Sequence, residues 1–114
     1  VKSGSNFHEE AVKEGSGMLI KEGLSDRVMV DCSHGNSKKD FRRQSEVVQD
    51  LSTQIREGSK KIMGVMLESH LVEGNQKLSQ DVSSLVYGQS ITDACIDIQT
   101  TANLLDQLAG SVAV

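Results

Sequence analysis

Three side chains able to hold a divalent ion follow apolar or turn-rich stretches of this chain. His34 follows the run "VMVDCSHGN", Glu68 closes "IMGVMLE", and Asp93 stands in "YGQSITDAC". One imidazole nitrogen and two carboxylate oxygens form a hard-to-borderline donor set, which suits Mn²⁺, Fe²⁺ or Zn²⁺ better than a thiolate-preferring ion. In parallel α/β folds the ligand site lies at the carboxyl ends of the strands. If the two apolar runs are neighbouring strands, His34, Glu68 and Asp93 converge on one rim. The same residues also have structural explanations. An acid after a strand commonly caps the next helix, an Asp in a first helical turn is favoured by the helix dipole, and a lone His is usually a hydrogen-bonding residue. Spacing alone leaves both explanations open. His70 and Glu73 can support the ligands from behind or simply tie a loop. Asn36 reads as a helix cap.

Other chemistry finds little footing. The sequence holds no HExxH, no CxxC pair, no phosphate-binding P-loop and no GxSxG elbow. "EGSGM" carries glycines but follows no expected strand.

The elements that must position these residues alternate. The spacing predicts a helix over 8–23, weakened by Gly15 and Gly17, and an apolar strand over 27–31. A helix is expected from Lys38 to Glu57, capped by Asn36 or Ser37, with Phe41, Val48, Leu51 and Ile55 on one face and Gly58 as its stop. A second strand is expected over 62–67. Residues 71–90 are polar and glycine-punctuated, with one strand-like piece, "SSLVY". A last helix is expected from Thr92 to Val112, its stripe running from Ala94 and Cys95 through Ile98, Ala102 and Leu105 to Val112. Strands alternating with helices imply a parallel α/β sheet, with each strand buried on both faces. Two or three strands do not close such a sheet, so the fold is expected to be incomplete. The chain opens on Val1 rather than Met, which fits a processed chain, a trimmed product or a fragment of something longer.

Composition narrows the class. The 114 residues are 37% hydrophobic and 3% aromatic, with a formal charge of −4. That is one small domain with a lean core. Its one basic run, "KKDFRR", is split by Asp40, so a nucleic-acid partner is not expected. No apolar stretch is long enough for a membrane span, and no signal peptide is visible. Two cysteines, Cys32 and Cys95, do not make a disulfide framework and point to a reducing cytoplasm.

Three segments together, "VMVDCSHGNSKKDFRRQ", "IMGVMLESHLVEGNQKL" and "YGQSITDACIDI", closely resemble the carboxyl-terminal part of the class I 3-deoxy-D-arabino-heptulosonate 7-phosphate synthases. The resemblance extends over essentially the whole chain. It implies that residues 1–114 are the carboxyl-terminal portion of a single (β/α)₈ TIM barrel, incomplete by itself. It implies condensation of phosphoenolpyruvate with erythrose 4-phosphate, with release of phosphate, as the first step of the shikimate pathway to aromatic amino acids. It also implies one divalent metal ion, Mn²⁺ or Fe²⁺ with Zn²⁺ or Co²⁺ as alternatives, bound by His34, Glu68 and Asp93. His34 would be the residue that also touches substrate.

The family's fourth metal ligand, a Cys on the first barrel strand, has no counterpart here. Cys95 matches instead a Cys beside the Asp ligand. The family's phosphate-gripping Arg and Lys residues come from earlier strands, and Lys2 matches a lysine without an expected catalytic role. The resemblance further implies a cytoplasmic, homo-oligomeric full-length enzyme, and a chain that is inactive alone. Two alternatives stand beside it. One is a related phosphoenolpyruvate-dependent keto-sugar-acid phosphate synthase, against which "ESHLVEGNQ" speaks. The other is a non-catalytic fragment.

Overall fold

Three helices and two short parallel sheets make up the computed structural model, which describes residues 4–112. Lys2 lies outside the described residues. Helix α1 spans Glu9–Lys21. Glu9 and Glu10 in its first turn and Lys21 in its last complement the helix dipole. Strand β1, Val28–Asp31, pairs in parallel with β2, Ile62–Met66. Val30 lies opposite Val65 and Asp31 opposite Met66. The ladder continues one residue further, where the Cys32 N–H donates to the Met66 carbonyl at 2.9 Å.

Helix α2, Gln44–Arg56, connects the two strands. It begins later than its apolar spacing suggested. His34, Lys38 and Lys39 all take left-handed backbone, with φ of 47°, 54° and 62°, so residues 34–39 form turns instead of a first helical turn. A 3₁₀ turn over Phe41–Arg43 follows, and the Asp40 carboxylate caps it by accepting from the Arg42 N–H. Asn36 is not the helix cap. Its side chain donates to the Asp31 carbonyl and accepts from the Asn6 N–H, which straps the incoming chain to the end of β1.

Strand β3, Val72–Asn75, pairs in parallel with the two-residue β4, Gln89–Ser90. The "SSLVY" piece is not a strand: Val82–Ser84 form a 3₁₀ turn capped by Asp81. The chain re-enters β4 through Gly88, whose φ is +81°. A Cβ there would stand 2.9 Å from the Leu71 Cβ, so the return requires glycine.

Helix α3 spans Ile98–Val112 and also starts later than expected. Cys95 and Ile96 are held in extended bridges to Gly74 and Ser69. Asp97 then starts the helix by accepting from the Thr100 N–H at 2.8 Å.

The core is a single cluster. Val30 from β1, Cys32 just beyond it, Val47, Val48 and Leu51 from α2, and Ile96 and Leu104 are buried together. Burying one such aliphatic side chain stabilises by about 1.5–3 kcal/mol. The other face of the first sheet is open. Met29 and Met63 are 63% and 62% exposed, so the expectation of strands buried on both faces does not hold among the described residues. The radius of gyration is 16.2 Å. A compact chain of this length has about 13 Å. The described residues thus form a mixed α/β fold with two two-stranded sheets, not a closed barrel.

Candidate metal centre

The turn after β1 delivers His34, and the residue pair after β2 delivers Glu68. The expectation that Asp93 lies in the first turn of the last helix is corrected. It sits in the bend between β4 and α3, ahead of the Cys95 and Ile96 bridges, so the helix dipole does not account for it. Asn75 at the end of β3 holds that bend by donating to the Thr92 carbonyl at 2.9 Å.

These connections bring the three expected residues together. His34 Nε2 lies 3.3 Å from Asp93 Oδ2 and 3.7 Å from Glu68 Oε1. One donor atom from each residue falls within 4.8 Å of the others. Two donors bound to a common ion at about 2.0–2.2 Å stand roughly 3.0–4.4 Å apart, so the spacing of His34 from either acid fits one shared cation. Among the described residues neither Glu68 nor Asp93 pairs with a Lys or Arg. Two carboxylates facing one imidazole without a basic partner form a negative pocket that a divalent ion would neutralise.

The His34 ring is held from behind. Its Nδ1 lies 2.8 Å from Asp31 Oδ2, and the other Asp31 oxygen accepts from the Ser33 N–H. This hydrogen bond and the Asp31 charge raise the His34 pKa above the ordinary imidazole value, and Asp93 and Glu68 add to the effect. Beside the cluster a cavity of about 360 Å³ is lined by Ser33, His34, Lys39, Asn75, Thr92 and Asp93.

The other sequence candidates lie outside the cluster. His70 Nδ1 accepts from the Leu71 N–H and ties its own loop. Glu73 is exposed, and its carbonyl accepts from the Gln89 side chain. Three contributors were not picked out from sequence. Asp31 was visible as an acid three residues before His34. Asn75 gave no signal. Gln44 sits four residues before Val48, on the stripe that α2 buries, which is an unusual place for an amide.

The profile of the DAHP synthetase I family matches residues 2–106 of the 114. The chain belongs to this family. A phospho-2-dehydro-3-deoxyheptonate aldolase from Alternaria alternata is 45% identical over 98% of the chain. The Phe-sensitive aldolase of the same name from Escherichia coli is 53% identical over 92% of it. The chain spans only 30% and 29% of those two proteins. A solved structure of such an aldolase from Francisella tularensis superposes with a TM-score of 0.90 at 45% identity, covering 96% of this chain and 31% of that one. No helix among the described residues of this family member is long and apolar enough to cross a membrane.

Proposed function

We propose that this chain supplies the metal-binding rim of a 3-deoxy-D-arabino-heptulosonate 7-phosphate synthase, within a (β/α)₈ barrel completed by other segments. The observation that carries this is the convergence of His34, Glu68 and Asp93 beyond the carboxyl ends of β1 and β2, where barrel enzymes place their chemistry. Membership of the DAHP synthetase I family supports the substrates, phosphoenolpyruvate and erythrose 4-phosphate. The parallel pairing of β1 with β2 across α2, and the exposed Met29 and Met63, support the barrel. A cytoplasmic, homo-oligomeric enzyme is part of the same reading, and the two free cysteines agree with a reducing compartment.

His34, Glu68 and Asp93 would hold one divalent ion, Mn²⁺ or Fe²⁺ with Zn²⁺ or Co²⁺ as alternatives. When bound, such an ion supplies Lewis-acid polarisation of a carbonyl oxygen, here the erythrose 4-phosphate aldehyde, or activation of a water. Asp31 fixes the His34 ring so that Nε2 faces the acids. Asn75 fixes the bend that carries Asp93. Lys39, lining the adjoining cavity, places one positive charge near the position of anionic substrates. The remaining cationic groups that two phosphorylated substrates need would come from segments outside this chain.

The test uses a full-length synthase carrying this chain as its corresponding segment. Release of phosphate from phosphoenolpyruvate, dependent on erythrose 4-phosphate and on added Mn²⁺, is the expected result. Glu68→Ala and His34→Ala should abolish it while the fold persists. Retained turnover in either variant with excess metal would refute the proposal.

A further inference from the structure

Glu68 lies beyond β2, where the ladder to β1 has ended. A side chain takes that place. The Gln44 Oε1 accepts from the Glu68 N–H at 2.9 Å, and the Gln44 Nε2 donates to the Glu68 carbonyl at 3.1 Å. The same carbonyl also accepts from the Ile96 N–H at 2.9 Å. Gln44 is fully buried, at 0% exposure, as the first residue of α2. Both halves of its amide are thus committed to one residue, and that residue is the acid facing His34. We infer that Gln44 is a positioning residue which fixes the Glu68 backbone, and so sets the geometry of the metal centre from the start of α2. The inference rests on Glu68 being a metal ligand.

The physical reason lies in what each bond leaves behind. A buried amide bonded to both the N–H and the C=O of one residue acts like a two-bond strand partner and restrains the two peptides that flank that residue. Without it, the Glu68 N–H is orphaned, while the carbonyl keeps its bond to Ile96. The peptide carrying the freed N–H can then rotate against the next one, which Ile96 still holds, and swing the carboxylate. A purely structural Gln44 would anchor α2 to β2 with no particular consequence for the ion. Buried groups behind metal ligands typically change affinity by about 10–100-fold when removed.

The experiment uses the full-length synthase carrying this chain. Mn²⁺ affinity is measured by titration for the parent, Gln44→Met, Gln44→Glu, Glu68→Ala and the Gln44→Met, Glu68→Ala double variant. Hydrogen exchange is followed at the Glu68 amide. Gln44→Met should speed that exchange by about tenfold or more. It should weaken Mn²⁺ binding by about 10–100-fold. In the Glu68→Ala background the same change should alter residual Mn²⁺ affinity by less than about twofold, because the route through Glu68 is already gone. Gln44→Glu keeps the acceptor for the Glu68 N–H and should retain its protection, but it sets an oxygen against the Glu68 carbonyl where the Nε2–H stood, which should displace that carbonyl and weaken Mn²⁺ by about 10–100-fold. This variant carries the test if Gln44→Met fails to fold. Equal losses with and without Glu68, or Mn²⁺ affinity unchanged when the amide exchanges faster, would overturn the inference. If Glu68→Ala itself leaves Mn²⁺ binding intact, the ligand assignment is wrong and the inference falls with it. If Glu68→Ala abolishes binding but both Gln44 variants bind normally, only the inference is wrong.

Discussion

The Asp31 carboxylate holds His34 by Nδ1 at 2.8 Å and thereby turns Nε2 towards Glu68 and Asp93. A carboxylate behind a metal-binding histidine fixes both the ring and its tautomer. Asp31→Ala should weaken Mn²⁺ binding by about 10–100-fold, and Asp31→Asn by less, since the amide oxygen still accepts from Nδ1. The check is a Mn²⁺ titration of the three proteins; equal affinities would contradict the role. Without metal, the raised His34 pKa has a defined sign. Its stabilising contribution is complete below the ordinary value of 6.5 and is lost as pH rises through the higher folded value. Asp31→Ala should flatten that part of the stability–pH profile.

Asp97 offers an independent pH test at the start of α3. Hydrogen bonds from the Thr100 N–H and side chain hold its pKa below the ordinary carboxylate value of 3.8. A depressed carboxylate stabilises above its unfolded pKa, and the effect disappears as pH falls through the folded value. In a full-length synthase carrying this chain, Asp97→Ala should therefore lower Tm at pH 7, and the gap should close under acid conditions. Asp97→Asn should retain most of the cap at both pH values. A gap that persists at the lowest pH would show that the loss is not electrostatic.

The thiols should be inert in the folded state. Cys32 is completely buried, and burial followed by the Asp31 charge pushes its pKa to about 12. Cys95 is raised for the same leading reason, with Glu68 contributing. The thiolate is the reactive form, so alkylation at pH 8 should be very slow natively and complete in denaturant. Rapid native labelling of Cys32 would contradict the packing of β1 on α2.

The isolated 114-residue chain should associate and melt without cooperativity. Each sheet has two strands, and free edges together with the exposed Met29 and Met63 offer pairing surfaces to other copies. It should also show no synthase turnover alone. Near- and far-UV circular dichroism followed on heating, with chromatography, give the check. A sharp, coincident melt from a monomer would contradict this view.

The two strands of the first sheet were legible because their runs lack polar alternation, and the α2 core stripe because Val48 and Leu51 keep helical spacing. The three site residues stood out as ionisable groups directly after such runs or in a turn. What was not legible depends on distant partners. Lys38 and Lys39 have no local preference for left-handed backbone; the turn is set by bonds such as Lys39 N–H to the His34 carbonyl. Ala94 and Cys95 continue the α3 spacing, yet Cys95 and Ile96 are taken by bridges to β3 and the β2 exit, which moves the helix start to Ile98. Strand β3, "VEGN", has neither β-branched density nor alternation, and exists because β4 and Cys95 bond to it. Gln44 was readable in principle as a polar residue on an apolar stripe.

If His34, Glu68 and Asp93 share one metal ion, anomalous diffraction from a Mn²⁺-loaded crystal of a full-length synthase carrying this chain should locate it. One peak is expected within bonding distance of His34 Nε2 and of a carboxylate oxygen from each of Glu68 and Asp93. An active, Mn²⁺-dependent crystal whose peak lies away from any of these three residues would contradict the shared site.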